Sequence, residues 1–251
     1  MRHFLGEAWA IFRREMLRYR RDRAYWIGQL VFPLAVVGFI GFGLNDVVQL
    51  PTGSDYLGHL ASGVLALVVG SAGVGGGMTL IQDRESGFLR ALLVAPVGRA
   101  SVVVGKLAAR ALASLVLVAV LVALLSAVTP LGLPHPGAAL LAVTAVTVAF
   151  LALGVVLGSA LRSIEAYRLL AGLVTVPLYL LSGIFYPVST LPAATRWLAL
   201  VNPLTYGVDL FRYGLLGVHE LPVGRSALLL AVLTAAGLAL AVGVFERGAQ
   251  E

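Results

Sequence analysis

The sequence contains no cysteine, and Lys106 is the only lysine among its 18 basic residues. The missing thiols exclude a disulfide and a thiolate metal site, and they leave the cellular compartment undetermined. Charged residues of both signs make up only 12% of the chain, about half the share of ~25% that soluble domains carry. Hydrophobic residues reach 59%, and the mean hydropathy is +0.95. This composition predicts an integral membrane protein.

Charge is absent from six long stretches of the chain, each about 20 residues or longer. These stretches are Ala24–Asn45, Tyr56–Gln82, Ala111–Leu133, Pro136–Leu161, Leu169–Thr195 and Ser226–Phe245. Because a helix rises about 1.5 Å per residue, each stretch can cross a hydrocarbon core of roughly 30 Å. We therefore predict an all-α integral membrane protein with six transmembrane helices, in a single domain over residues 1–251.

Basic residues are missing from the loops that follow the first and third stretches. Seven arginines precede the first stretch, and further basic residues follow the second and the fourth. Since cytoplasmic loops are enriched in Lys and Arg, this asymmetry predicts that both termini are cytoplasmic. The net charge of +6 then reflects membrane orientation, and we expect no binding of nucleic acid.

Residues 1–25 have an amphipathic pattern. Charged residues interrupt every apolar run, which excludes a signal peptide. On a helix the apolar side chains share one broad arc, and the arginines mostly occupy the other. This pattern predicts an interfacial helix whose arginines are attracted to anionic membrane lipid. It leaves open whether the helix is only an anchor and topology signal or also binds a partner.

A charged segment, residues 83–96, separates the second and third stretches. Its marker residues are Asp83, Arg84, Glu85, Ser86, Gly87, Phe88, Arg90 and Pro96. The pattern predicts an amphipathic helix that ends at the proline. Because a plain connector needs only a few polar residues, we expect this helix to contact another protein. The alternative is a helix that rests on the lipid surface.

Prolines interrupt the apolar chain between the fifth and sixth stretches. Pro187, Pro192 and Pro203 forbid one continuous helix. Asp209 and Arg212 would each cost about 2.5–3.5 kcal/mol at the centre of a bilayer. We therefore predict two short re-entrant helices over residues 187–216, dipping into the outer leaflet, in place of a seventh span. Asp209 is expected to pair with Arg212 one turn further on.

Small residues crowd the second stretch between Gly70 and Gly77, and Gly154 and Gly158 form a GxxxG pattern in the fourth. Such residues let helix backbones approach closely in membranes. The sequence leaves open whether they serve packing within one chain or dimerisation.

Motifs for several kinds of active site are absent. Gly105-Lys106 is followed by Leu107, so the chain has no GxxxxGK[ST] loop for nucleotide phosphates. It also has no HExxH motif, no carboxylate pair and no cluster of intramembrane ionisable residues. His59, His135 and His219 lie near span boundaries, where we expect solvated side chains. We expect no catalytic residue, metal site or cofactor in this chain.

Two alternatives from other functional classes remain. Ser226 stands in a GxSx pattern that would suit an intramembrane serine protease, but no histidine follows it to serve as the base. An ion-coupled carrier or channel is disfavoured by the scarcity of intramembrane charge.

Three motifs, in their order along the chain, resemble the membrane subunit of an ABC type-two exporter. This permease family includes drug-resistance and polysaccharide or lipo-oligosaccharide exporters. The motifs are Asp83-Arg84-Glu85-Ser86-Gly87 through Pro96 to Gly105-Lys106; Ser182-Gly183-Ile184-Phe185-Tyr186-Pro187; and Asn202-Pro203-Leu204-Thr205-Tyr206 with Asp209 and Arg212. The similarity covers essentially the whole chain. Phe88 departs from it, because relatives often have a polar residue after the glycine.

The resemblance implies the role of each segment. Residues 83–96 would be a coupling helix docked on a separate ATPase subunit, which binds ATP and Mg. Residues 1–25 would be the interfacial helix beside it. The broken outer segment, with Asn202, Pro203, Tyr206, Asp209 and Arg212, would cap the pathway.

The resemblance also implies a mechanism and a location. Two permease copies, identical or homologous, would move an amphiphilic drug, lipid or lipid-linked glycan out of the cytoplasm by alternating access. The cytoplasmic membrane of a bacterium or archaeon is the expected location. The residues expected along the path are Gln29, Val68, Ala72, Tyr179, Phe185 and Tyr186.

Overall fold

The structure, a computed structural model, describes residues 2–51, 55–87, 98–161 and 163–248, and within these ranges it contains helices and no strand. The helices are α1 (Arg2–Arg21), α2 (Arg23–Leu44, with a π-helical turn at Val37–Gly41), α3 (Tyr56–Glu85), α4 (Arg99–Leu125), α5 (Pro136–Ala160), α6 (Ile164–Leu181), α7 (Ala193–Val201), α8 (Pro203–Leu216) and α9 (Val223–Gly248).

Six of the described helices, α2 to α6 and α9, are long and apolar enough to cross a membrane. This confirms the predicted all-α fold with six spans. The limits predicted for the fifth span, however, were wrong at both ends, because α6 covers Ile164–Leu181 and not 169–195. Ser163 caps its first turn by accepting a hydrogen bond from the Ala166 N–H at 3.1 Å. Gly183, with a φ of 84°, lies just beyond the helix end.

The centre of the bundle is α3, and most of it is enclosed by other helices. Of an 18-residue apolar stretch of α3, 78% is buried, against 17% in α2 and 11% in α9. The helices α5, α8 and α4 pack against α3, whereas α2, α6 and α9 lie at the periphery. A helix that is apolar on all sides suits such a central position.

Glycines bring α3 and α5 into direct backbone contact. A Cβ atom added to Gly77 would lie 1.9 Å from the Gly154 carbonyl oxygen, and one added to Gly158 would lie 2.7 Å from the Gly77 carbonyl oxygen. Only residues without a side chain fit this seam. Gly77, Gly154 and Gly158 therefore serve packing between two helices of one chain.

Two short helices follow α6, as the prolines require. Pro192 precedes α7, and Pro203 is the first residue of α8. The Asn202 side chain caps α8 by accepting from the Leu204 N–H at 3.0 Å, and it donates to the Leu178 carbonyl at 2.6 Å. Since α7 has nine residues and α8 has 14, neither reaches the roughly 20 residues of a span. Their depth in the bilayer stays a prediction.

The bundle has two ends, named here the α1 end and the α8 end. The helix α3 starts beside α8 and finishes beside α1. The helix α9 starts beside α8 and runs parallel to α5, so it finishes at the α1 end. Residues 2 and 248 therefore lie at the same end of the bundle.

Candidate coupling and pathway sites

A cluster of four charged side chains joins three helices at the α1 end. Asp83, in the last turn of α3, contacts Lys106 of α4 and accepts from Arg14 of α1 at 3.2 Å. Arg14 also bonds Glu15 at 2.9 Å, and the Lys106 Nζ atom lies 4.0 Å from the Glu15 carboxylate. Both acids are buried, and the two cations balance them. Buried carboxylates persist only when they are paired in this way.

The helix α1 also contacts the beginning of α4. The Glu7 carboxylate accepts hydrogen bonds from the Gly98 N–H at 3.0 Å and from the Ser101 hydroxyl at 2.7 Å. Arg18 donates a hydrogen bond to Gln82 in the last turns of α3. The helix α1 thus bridges the two described ends of the connection between α3 and α4.

The predicted coupling residues fall partly within this bridge. Asp83, Arg84 and Glu85 form the last turn of α3, and Ser86 and Gly87 form the turn after it, with φ of 71° at the glycine. Glu85 and Ser86 are exposed. The predicted residues Phe88, Arg90 and Pro96 lie outside the described residues. The coupling helix over residues 83–96 stays a prediction.

The six predicted path residues occupy two different environments. Val68 and Ala72 are buried inside the bundle. The others are partly exposed: Gln29, Tyr179, Phe185 and Tyr186. Ser71 donates to the Gln29 side chain at 3.4 Å, and the Tyr179 ring stacks on Phe150 with 6.1 Å between centroids.

A second polar cluster lies at the α8 end and is centred on Arg212. This guanidinium donates to Glu220 at 2.8 Å and to the Gly183 carbonyl at 3.0 Å, and it lies 3.1 Å from His59 Nε2. Arg212 is only 2% exposed. It therefore links α8 to α3, to the end of α6 and to the loop before α9.

The carboxylate of Asp209 accepts hydrogen bonds from the loop between α8 and α9 and from the first turn of α9. One oxygen accepts from the Glu220 N–H at 2.7 Å and the Leu221 N–H at 3.3 Å, and the other accepts from the Ser226 hydroxyl at 2.8 Å. The expected ion pair with Arg212 was wrong, because the acid partner of Arg212 is Glu220. The sequence missed Glu220, which lies beyond the end of α8 and outside any helical spacing.

The histidines divide into two groups. His135 and His219 are exposed, as expected, and both rings lie against Tyr213 with centroids 4.1 Å and 5.7 Å away. His59 is fully buried beside Arg212, so its predicted solvation was wrong. The expected absence of an intramembrane ionisable cluster that could relay protons or ions stays a prediction, although His59, Arg212 and Glu220 lie together here. Tertiary packing brings these groups together from sequence positions 59 to 220.

Two remaining predictions concern α8 and α9. Tyr206 is buried, and its hydroxyl donates to the Leu200 carbonyl. Burial raises the pKa of Tyr206 above its ordinary value, so this hydroxyl keeps its proton. Ser226, considered above as a nucleophile, is buried and bonded to a carboxylate of α8. That hydrogen bond gives it a structural role at the start of α9.

Comparisons with known proteins extend over most of the chain. The family described as ABC-2 type transporter matches residues 6–216, from α1 to the end of α8. Nodulation protein J of Rhizobium leguminosarum bv. viciae is 29% identical over 215 residues, which cover 83% of this chain and 82% of the relative. Inner membrane transport permease YadH of Escherichia coli (strain K12) is 24% identical over 244 residues, covering 95% and 94%. Nodulation protein J of Rhizobium meliloti (strain 1021) is 28% identical over 221 residues, covering 86% and 83%.

Proposed function

This chain belongs to the ABC-2 type transporter family, and we propose that it is the permease of an ATP-driven exporter in a bacterial or archaeal cytoplasmic membrane. The family implies a separate ABC ATPase subunit. Because the sequence has no phosphate loop, that subunit would bind the ATP and Mg²⁺. We assign the α1 end, with both termini, to the cytoplasm.

The observation that carries this proposal is the bridge made by α1. Its Glu7 bonds the start of α4, and its Arg14 bonds the end of α3. A force applied to the connection between those helices would therefore reach α1, α3 and α4 together. We assign docking of the ATPase to residues 83–96, because this segment joins the two bridged helix ends.

Movement at the α1 end would be passed on through a rigid core. The glycine seam leaves no free space between α3 and α5, so these helices would move as one body. Rigid-body rotation of such bodies is a common route of conformational switching. Alternating access would follow if ATP binding by the partner drives this rotation.

The path is assigned to the boundary with a second permease copy. The side chains near it would be the partly exposed Gln29, Tyr179, Phe185 and Tyr186. On α6 an apolar row suits contact with that copy, because its members recur every three or four positions. This row consists of the exposed residues Leu169, Leu173, Val176 and Leu180. Val68 and Ala72 would reach the path only in another conformation. Apolar walls favour an amphiphilic substrate such as a drug, lipid or lipid-linked glycan.

The buried cluster at the α8 end does not favour an ion-coupled carrier. Its cation is paired with Glu220, and Asp209 accepts three hydrogen bonds. A carboxylate whose oxygens already accept hydrogen bonds from the protein offers few free lone pairs to a transported metal cation. The cluster fits a structural role better.

The test of coupling removes charge from the proposed docking segment. In the Glu85→Ala/Arg90→Ala variant, we expect the ABC ATPase that copurifies with the chain to bind at least tenfold more weakly, a loss of about 1.4 kcal/mol. Permease-dependent ATP hydrolysis in proteoliposomes should fall with it. The matched control is Glu165→Ala/Arg168→Ala, which removes an exposed acid and arginine from α6 at the same end. Unchanged binding and hydrolysis in the first variant, or equal losses in the control, would contradict the assignment.

A further inference from the structure

A cavity of about 430 Å³ lies at the α1 end between α1, the start of α2 and α4. Arg13 and Arg20 line it on the α1 side. Trp26, Ala113 and Val116 line it on the opposite side. The cavity therefore combines positive charge at one border with an apolar interior.

The corner between α1 and α2 is fixed by hydrogen bonds, so the cavity is preformed. The Asp22 carboxylate caps α2 by accepting from the Tyr25 N–H at 2.9 Å. The Trp26 indole N–H donates to the Tyr19 carbonyl at 2.9 Å. Arg110 lies over the Tyr19 ring, 5.1 Å from its centroid. Binding to a preformed site avoids the entropic cost of ordering it.

Burial also keeps the Tyr19 side of this corner neutral. It raises the pKa of the Tyr19 hydroxyl to about 12, although Arg110 opposes the shift. The phenol is therefore protonated at physiological pH, and the charge along the cavity comes from arginines alone.

Four of the six arginines of α1 fall into two sets. Arg14 and Arg18 point toward α3, where they bond Asp83 and Gln82. Arg13 and Arg20 line the cavity, and no acid among residues 2–51, 55–87, 98–161 and 163–248 forms an ion pair with either. Seven positions apart, they share one face of the helix. Two guanidinium groups that form no ion pair within the described part of the chain favour an anion there.

The depth of the apolar part matches the acyl region of one leaflet. The span in α4 begins at Val104, and Ala113 and Val116 follow nine and twelve positions later, roughly 13 and 18 Å along the helix axis. A leaflet contributes about 15 Å of hydrocarbon thickness. The arginines belong to an amphipathic helix of the kind that lies at headgroup level.

We propose that this cavity binds an anionic glycerophospholipid from the leaflet at the α1 end. Its phosphate lies against Arg13 and Arg20, and one acyl chain lies along Trp26, Ala113 and Val116. A lipid with net negative charge is preferred over a zwitterionic lipid, whose own amine competes with the guanidinium groups. The inference depends on the membrane location of the chain and not on export.

The tryptophans provide a direct probe. The chain has three, and Trp9 and Trp26 both line the cavity. In a Trp197→Phe background, the tryptophan fluorescence then comes only from these two residues of the cavity lining. The full chain is reconstituted in phosphatidylcholine vesicles that contain a small fraction of phosphatidylglycerol or phosphatidylcholine with brominated acyl chains. We expect brominated phosphatidylglycerol to quench with an apparent affinity on the order of tenfold higher, given two arginines near its phosphate.

Two double variants distinguish a specific lipid-binding site from general attraction of anionic lipid to the basic surface. Arg13→Gln/Arg20→Gln should abolish the preference for phosphatidylglycerol. Arg21→Gln/Arg23→Gln removes the same charge from exposed positions outside the cavity and should keep the preference. Equal quenching by both lipids in the parent, or a preference kept in the first variant, would overturn the proposal. So would equal losses in both double variants, since they would indicate general surface attraction.

A charge-neutral pair keeps the test decisive if an arginine variant fails to insert. Val116→Phe fills the acyl part of the cavity, and Val120→Phe adds the same bulk one turn further along α4, outside the cavity. Both valines are exposed, at 44% and 39%, so each accepts a larger side chain without disturbing the core. Loss of the preference only in Val116→Phe supports the lipid site. The same preference in both variants overturns it.

Discussion

The two ends of α3 carry charged clusters of similar size and opposite character. At the α8 end, the Arg212 side chain is 2% exposed and the side chain of its acid partner Glu220 is 10% exposed. At the α1 end, the side chains of Arg14 and Lys106 are 37% and 22% exposed, although their carboxylate partners are buried. A buried charge has no alternative to its protein partner, whereas a half-exposed cation can exchange that partner for water.

This difference in exposure agrees with the functions proposed for the two ends of the bundle. The α8-end cluster holds three helix ends and a loop in one arrangement, as a cap over the bundle requires. In the α1-end cluster, Arg14 and Lys106 each lie near both Asp83 and Glu15, so either cation can shift between the two acids while both carboxylates stay paired. This cluster lies where an ATPase subunit would push. A network that rearranges at one end and a network that stays fixed at the other would let α3 pivot instead of simply shifting.

The largest effect is expected at the α8 end. Arg212→Met leaves the Glu220 carboxylate, whose side chain is only 10% exposed, without its cation, which should lower the free energy of unfolding by about 3–5 kcal/mol. Thermal unfolding of the purified chain in detergent measures this loss. Arg225→Gln serves as the control, because Arg225 is an exposed arginine at the start of α9. The double variant Arg212→Met/Glu220→Gln should recover part of the stability. A single variant as stable as the parent would show that the two clusters do not differ as described.

A smaller loss of stability is expected at the α1 end. Asp83→Asn should cost roughly 1.5 kcal/mol, the low end for a charged hydrogen bond, because Arg14 and Lys106 keep Glu15 nearby and reach water. Stimulation of the partner ATPase should nevertheless fall severalfold, since Asp83 connects α3 to α1. The control is Asp46→Asn, at an exposed acid beyond α2. If Asp83→Asn destabilised the chain as much as Arg212→Met, the α1-end cluster would be as rigid as its counterpart.

The smallest effect on stability is expected from single cysteines at the two ends of the bundle. Labelling these cysteines tests which end faces the cytoplasm. The chain has no native cysteine, so single cysteines can be placed at the exposed positions Leu133 and Ser189 near the α8 end and at Ser86 and Arg168 near the α1 end. In intact cells, an impermeant thiol reagent should label the first two and spare the others. In inside-out vesicles the pattern should reverse. Labelling of Ser86→Cys from outside would place the proposed docking segment on the wrong side.

Local sequence signals predicted the helices well. Charge-free length located the six spans, and the prolines at 187, 192 and 203 separated α7 and α8 from a seventh span. Both signals act within a helical turn or along one segment, so they do not depend on distant parts of the chain. The limits of α6 were wrong, because the charged residues Glu165 and Arg168 lie inside its first turns.

Partners between distant segments could not be predicted in the same way. Asp209 and Arg212 have a suitable spacing for an ion pair, yet each finds a partner in the loop before α9. Nothing in the local pattern indicated that His59 would be buried. Its arginine contact, Arg212, lies 153 positions further along the chain. The same holds for Lys106, whose bond to Asp83 was missed although both residues had been noted.

The sequence by itself determined that this protein is helical, has six helices long and apolar enough to cross a membrane and carries an amphipathic first helix, because hydropathy, proline and helical periodicity are properties of single segments. Its motifs also indicated the transporter family. Only the tertiary structure decided which charges pair, which histidine is buried, which glycines touch and where α1 leaves a cavity. Those outcomes depend on how close separate helices come, and that distance is set by the packing of all of them at once.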